Sequence, residues 1–302
     1  MLFRNLTLFH YAQPLIPADT LDAQLASTAF HACLSQEPRS SGWVPPLGAA
    51  ATAMVHEVMS AQLLCLQTEE KILPSSVIRD ALQVRIEQIE AQEQRRVRRQ
   101  EKDRLKDEVL VDLLPRAFSR YRQDYAYFEP SAGGWLLVDG AGKAVEALTT
   151  RLRKTLGQLP ITPLTVNDAP ALVMTRWLQE GRCPDGLTLG EDCELRDDEG
   201  VVRCTGQDLL SEEIQGHLSA HKQVTRLSLI WQERLSFMLG EDLTVRRIKS
   251  LDTVREQLEE FDLETPQARL DAEFAVMVGE LRGLLAELPD WFGGVAQGSS
   301  GF

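Results

Sequence analysis

Residues 75–115 read SSVIRDALQVRIEQIEAQEQRRVRRQEKDRLKDEVLVDLLP, and the spacing of their few apolar positions decides how the chain is divided. Ile78, Leu82, Ile86 and Ile89 recur at steps of four, four and three, one stripe of an amphipathic helix. Ser75 or Ser76 can cap it. Between Ile89 and Leu105 only Ala91 and Val97 are apolar, so this stretch has almost nothing to bury and is expected to project into solvent. Leu105, Val109 and Leu113 restore a stripe before Pro115. The expectation is a helical arm over 76–114, either a hairpin or broken helices.

On either side of the arm the pattern is mixed. LFRNLTLFHY near the start reads as a strand, a helix is expected from about Asp19 to Ala29, and another strand around 62–67. SSGWVPPLG reads as a loop from its Gly and Pro content. After Pro115, YAYFEP and WLLVD read as strands joined by a glycine turn, followed by a helix from about Gly142 to Leu156 with Gly157 as its stop. LGQLPITPLTVNDAP, with three prolines from Pro160 to Pro170, is the best linker candidate. Beyond it come helices around 171–179 and 211–220, an alternating strand TRLSLIW, a hairpin from RLSFMLG and LTVRRI, and a final helix with Thr265 and Pro266 at its Ncap and first position. GGVAQGSSGF is expected to be a loose tail. The expected fold class is α+β, with a central domain from 1–75 plus 115–160, the arm 76–114 as a tip, and a C-terminal base over 161–302.

Composition narrows the function. A formal net charge of −13 argues against indiscriminate nucleic-acid binding, although it averages over faces and leaves room for one basic surface. The longest apolar stretch, Leu47 to Val55, is far short of the roughly 20 residues of a membrane span. The polar Asn5, Thr7 and His10 interrupt the start where a signal peptide would be apolar, so a cytoplasmic protein is expected. Five widely spaced cysteines, Cys33, Cys65, Cys183, Cys193 and Cys204, fit free thiols in a reducing compartment.

Catalytic candidates are thin. His217 and His221 are spaced i, i+4 on an expected short helix, but no metal motif accompanies them. VDGAGKAVEAL puts a glycine-rich turn before a helix without the spacing, or the Ser/Thr after Lys143, of a phosphate-binding loop. RDDEG at 196–200 and SEE at 211–213 read as solvated acidic turns. No catalytic residue, metal or cofactor is expected.

The basic stretch RRVRRQEKDRLK, 95–106, carries seven basic side chains against two acidic ones. Read as three turns of helix, it puts Arg95, Arg98 and Lys102 on one side and Arg99 and Lys106 on another. Arg95, Arg96, Arg98, Arg99 and Lys102 are the candidate phosphate contacts, of the kind that give salt-sensitive binding without sequence preference. The bland alternative is a solvated helix balanced by Glu87, Glu90, Glu93, Glu101 and Asp103.

Several stretches together resemble the recombination-associated RdgC proteins of bacteria: GWVPPLG at 42–48, EEKILPSSVI at 69–78, EKDRLKDEVL at 101–110, LLPRAFSR at 113–120, QDLLSEEI at 207–214 and LIWQERLSF at 229–237. With the N-terminus they run in order over nearly the whole chain. The resemblance implies a curved subunit that pairs with a second copy into a ring-shaped homodimer, with a basic central hole for duplex DNA. It further implies binding to double-stranded and single-stranded DNA, association with the nucleoid, and restraint of the RecA recombinase rather than an enzymatic activity. Phe118 matches an aromatic at one dimer contact. Arg95 matches a basic position near the hole, and Gln207 and Lys222 match polar positions at the second contact or beside the DNA. The resemblance implies a lysine before the Gln-Asp-Leu run, where this chain has Gly206. Two other functions stay open: a non-DNA interaction protein whose basic arm docks an acidic partner, and a metal-dependent nuclease.

Overall fold

The computed structural model describes residues 3–131, 133–251 and 265–296. It is mixed α+β, with a large antiparallel sheet and, among the described residues, seven α-helices. The chain falls into two units. The first comprises Met1–Leu25, Pro45–Cys65 and Asp124–Phe302, the second Ala26–Val44 and Leu66–Gln123. The arm expected over 76–114 lies wholly in the second, and residues 161–302 lie in the first with much of the N-terminal part.

In the first unit, β1 (Leu6–Tyr11) is the organising strand. One edge pairs antiparallel with β6 (Trp135–Asp139), from Leu6↔Asp139 to His10↔Trp135. Its other edge is shared. β12 (Val245–Ser250) meets it at Leu6, and β7 (Ile161–Pro163) takes over at Phe9–Tyr11. From β12 the sheet runs outward through β11 (Leu235–Gly240), β10 (Gln223–Trp231) and β8 (Leu187–Arg196) to β9 (Val201–Cys204).

The proline-rich 160–170 segment is therefore no free linker. Pro163 pairs with Phe9 at a sheet edge, where a missing N–H costs least, and Val166 bridges to Val295. The tail expected over 293–302 is described only to Ala296; the rest lies outside the described residues.

Helices cover this sheet. In α5 (Pro170–Glu180) Val173, Met174, Trp177 and Leu178 are buried, and Val224 on β10 donates its N–H to Thr175 Oγ1 at 2.9 Å. α6 (Glu212–Ser219) buries Ile214 and Leu218. The last helix, α7 (Pro266–Glu287), starts with Thr265 accepting from Ala268 N, the cap its sequence announced. Its Phe274, Met277, Val278, Leu281, Leu284 and Leu285 form a continuous buried stripe. Gly283 on this helix has a packing reason: a Cβ there would lie 2.8 Å from Trp231 Cη2, and the Trp231 indole N–H donates to Glu287 at 2.9 Å.

The second unit contains β2 (Arg39–Val44), which neighbours β4 (Ala61–Ile72), which neighbours β5 (Phe118–Glu129). β4 and β5 each continue into the first unit. The stretch expected as a loop at 40–48 is thus a strand over its first half. Gly42 is there because Trp43 pairs with Ala29, and a Cβ on Gly42 would sit 2.4 Å from the Phe30 backbone. The arm is a helical hairpin, α2 (Ser75–Glu93) and α3 (Arg99–Leu113). Neither expected serine caps α2. Pro74, extended at φ −59 and ψ 139, occupies the Ncap position and its carbonyl accepts from Ile78 N.

Candidate nucleic-acid interface

The basic stretch is not one helix. Gln94 adopts φ 52, the left-handed conformation that ends α2, and its side chain donates to the Ala91 carbonyl at 3.0 Å. Arg98, extended at φ −82 and ψ 162, is the Ncap of α3. Arg95 and Arg96 therefore sit in the turn between the helices, and the faces expected from a continuous helix do not exist there. The physical cause is Val97. It is 7% exposed and packs with Ile86 and Leu105, with Leu82 and Ile89 beside them. Doubling the chain back is the only way this isolated valine can meet the stripes on both helices. Burying Ile86 and Leu105 contributes about 1.5–3 kcal/mol each.

Carboxylates lock the turn. Arg95 gives Glu101 a two-pronged pair, Nη1 to Oε2 and Nη2 to Oε1 both at 2.7 Å, and its Nε reaches Glu93 Oε2 at 2.6 Å. The Val97 amide donates to Glu90 Oε1 at 2.9 Å. Hydrogen bonds from Arg95 hold the Glu101 carboxyl at about 2, and Glu101 and Glu93 in turn push the guanidinium up. Arg104 meets Glu108 one turn on, at 3.5 Å.

Arg96, Arg98, Arg99 and Lys102 are exposed, and among the described residues none has a carboxylate partner within salt-bridge distance. Glu90, Glu93 and Glu101 thus fix Arg95 and the turn, while the neighbouring Arg96, Arg98, Arg99 and Lys102 face solvent.

Phe118 opens β5 in the same unit and is 85% exposed, which removes the reading of it as a core residue. The strand holding it is pinned on both faces. Ser119 donates to Glu69, which also accepts from Cys33 N at 2.7 Å; these bonds draw the Glu69 carboxyl below its usual range. Arg120, on the other face, pairs with Glu70 at 2.9 Å. Strand alternation puts Phe118 on the Arg120 face. Tyr121 is also exposed, at 57%, and its ring meets Phe30 edge-on.

Gln207 and Lys222 belong to the first unit. Gln207 is exposed, its amide bonded to the Glu191 carbonyl. Lys222 is half-buried in an ion pair with Asp197, whose other oxygen accepts from Glu199 and Gly200 to close the β8–β9 turn. The expected acidic turn at 196–200 is therefore a structural device. Gly206 stands at φ 64, a conformation that favours glycine over residues with a Cβ. His221, at φ 65, lies beyond α6 and cannot share a helix face with His217. Among the described residues no group of three or more His, Cys, Asp or Glu side chains is placed to hold a metal ion, and no helix is long and apolar enough to cross a membrane.

Comparison with known proteins decides the ancestry. A family model described as "Putative exonuclease, RdgC" matches residues 1–295. The chain belongs to the RdgC family. Relatives named "Recombination-associated protein RdgC" include that of Halorhodospira halophila, 44% identical over 299 residues, covering 97% of this chain and 98% of the relative. Those of Sodalis glossinidius and Tolumonas auensis are each 42% identical over 299 residues, covering 97% of this chain and 98% and 99% of theirs. These names carry no enzymatic activity. Since the RdgC match spans both units, the basic turn and the Phe118 strand lie within the region of shared ancestry.

Proposed function

We propose that this RdgC family member is a sequence-nonspecific DNA-binding protein that acts in homologous recombination by limiting access of the RecA recombinase to DNA. The observation carrying this reading is the braced turn between α2 and α3. Arg96, Arg98, Arg99 and Lys102 stand exposed and, among the described residues, free of carboxylate partners, in a chain whose net charge is −13. Guanidinium and ammonium groups held in that way neutralise backbone phosphates and release counterions, without reading bases. Arg95 contributes through the turn it braces, since its fork is already filled by Glu101.

The partner implied besides DNA, duplex and single-stranded, is a second copy of the chain, with Phe118 entering an apolar site on it and the two subunits closing into a ring with a basic hole. A rigid, exposed aromatic is the residue type that anchors interfaces. In this reading the protein works in the cytoplasm, on the nucleoid, without cofactor. Gln207 and Lys222 lie beside the DNA or the second dimer contact.

Anisotropy titrations of random-sequence duplex and single strands over a range of salt concentrations test the reading. Affinity should fall steeply with salt and vary little with sequence; a flat salt dependence overturns it. The word "exonuclease" in the family description favours a second reading as a nuclease. Shortening of end-labelled DNA in magnesium or manganese would support that reading, and intact DNA would oppose it.

A further inference from the structure

Away from the arm, the first unit carries a cavity of about 230 Å³ whose wall includes Arg203, Arg226, Arg246 and Arg247. Asn5 and Thr205 add neutral polar groups, and Asp192 and Glu194 are its carboxylates. Four guanidiniums against two carboxylates leave a positive cavity in an acidic chain. We infer that this cavity is a binding site for a phosphate group, formed by Arg203 on β9, Arg226 on β10 and Arg246 and Arg247 on β12.

A regular strand would not bring the adjacent Arg246 and Arg247 to one wall, because successive side chains point to opposite faces. Here the register breaks. Between the pairs Ser236↔Lys249 and Met238↔Arg246, β12 has one residue more than β11, and Arg247 within that bulge has φ 52. A second break, between Val224↔Leu195 and Arg226↔Glu194, inserts a residue in β10 just before Arg226. Bulges re-aim side chains, and the one in β12 lets the adjacent Arg246 and Arg247 line one cavity. A left-handed backbone is unfavourable for a long side chain such as arginine. Keeping arginine where glycine or asparagine would fit more easily points to a use for the guanidinium.

The carboxylates preorganise the arginines without saturating them. Glu194, almost buried, accepts from Arg203 Nε at 2.9 Å and Arg226 Nη1 at 3.2 Å, and lies 3.5 Å from Arg196. Asp192 accepts from Arg247 Nη1 at 3.1 Å. Arg246 leans on Thr244 Oγ1 at 3.0 Å and Asp242 at 3.3 Å. A single carboxylate contact leaves most of a guanidinium's five N–H groups for another acceptor, and a tetrahedral phosphate suits several such forks at once. The cavity is smaller than the roughly 300–1,000 Å³ of pockets for drug-sized ligands. Among the described residues no aromatic side chain lines it, so it offers a seat for a phosphate rather than a stacking platform for a base. That phosphate has two possible sources, a DNA backbone or a small free phosphate compound; the first rests on the DNA-binding reading above.

The test uses the full chain, the variant Arg247→Asn, which keeps a residue tolerant of the left-handed backbone, and Arg203→Gln, at an exposed side chain. Thermal unfolding and calorimetry with inorganic phosphate, against chloride at equal ionic strength, should show phosphate-specific stabilisation in the parent and at least tenfold weaker phosphate binding in each variant. No phosphate-specific effect in the parent, or an unchanged one in both variants, overturns the inference. With single-stranded DNA, a salt slope reduced by about one in each variant assigns the site to a backbone phosphate. Phosphate binding lost while DNA binding is unchanged assigns it to a free phosphate compound. If the parent binds phosphate but no DNA, the DNA reading fails and the site stands; if it binds DNA but no phosphate, the site fails and the DNA reading stands.

Discussion

Arg95 and Glu101, six residues apart, face each other across the turn between α2 and α3 as a two-pronged ion pair with both bonds at 2.7 Å. The pair closes the turn that presents Arg96, Arg98 and Arg99. It divides the basic residues of the arm into one that shapes the turn and several that are free to meet an anion.

Substitutions should separate those two roles. Arg98→Ala or Arg99→Ala is expected to lower the salt slope of DNA binding by about one each, with exchange of the Val97 amide unchanged. Arg95→Ala should instead speed that exchange, and Arg95→Lys should restore little of the protection, since an ammonium cannot form the fork. Amide hydrogen exchange with salt titrations checks both. Equal exchange in all variants would remove the bracing role of Arg95.

Acid should loosen the same turn. The Glu101 carboxyl is held at about 2, below its ordinary 4.5, by hydrogen bonds from Arg95. A depressed carboxyl contributes stability that is present above its unfolded value and lost as pH falls through its folded one. The contribution should be whole above pH 4.5 and fade towards pH 2. Carboxyl NMR across that range follows it; in Arg95→Ala, Glu101 should titrate close to its ordinary value.

Phe118→Ser should leave the subunit's stability within about 0.5 kcal/mol, as for surface substitutions generally, because the side chain is 85% exposed. Sedimentation should show weakened self-association. A large drop in unfolding midpoint that does not depend on protein concentration would contradict the exposed placement.

The fully buried Glu129 carboxylate accepts from Arg282 on α7, Nε at 3.1 Å and Nη2 at 3.0 Å, and from Ser131 N at 2.9 Å. Arg282→Ala strands that charge and should cost about 3 kcal/mol or more. Chemical denaturation measures it. Arg282→Ala with Glu129→Gln should be less destabilised than Arg282→Ala alone, because the buried group is then neutral.

Local pattern made part of this protein legible. The stripes Ile78–Ile89 and Leu105–Leu113 announce two helices, and Thr265-Pro266 announces the start of α7, because a helix buries one face and leaves its first amides to be capped, both within a few residues. The basic excess of 95–106 and the family resemblance were equally open to reading. Gly42 and Pro163 were misleading as loop and linker signals because their reasons lie on other segments, the Phe30 backbone and the edge of β1. The turn at 94–98 depended on where Val97 could be buried, and the pairing of Arg95 on which acids that turn brought near. Arg203, Arg226 and Arg247 share a cavity only because β9, β10 and β12 lie in one sheet with bulges in two of them. Periodicity and caps act over a few bonds and are written in the sequence. The company a charge keeps is set by register and packing between distant segments, and only the tertiary structure decides it.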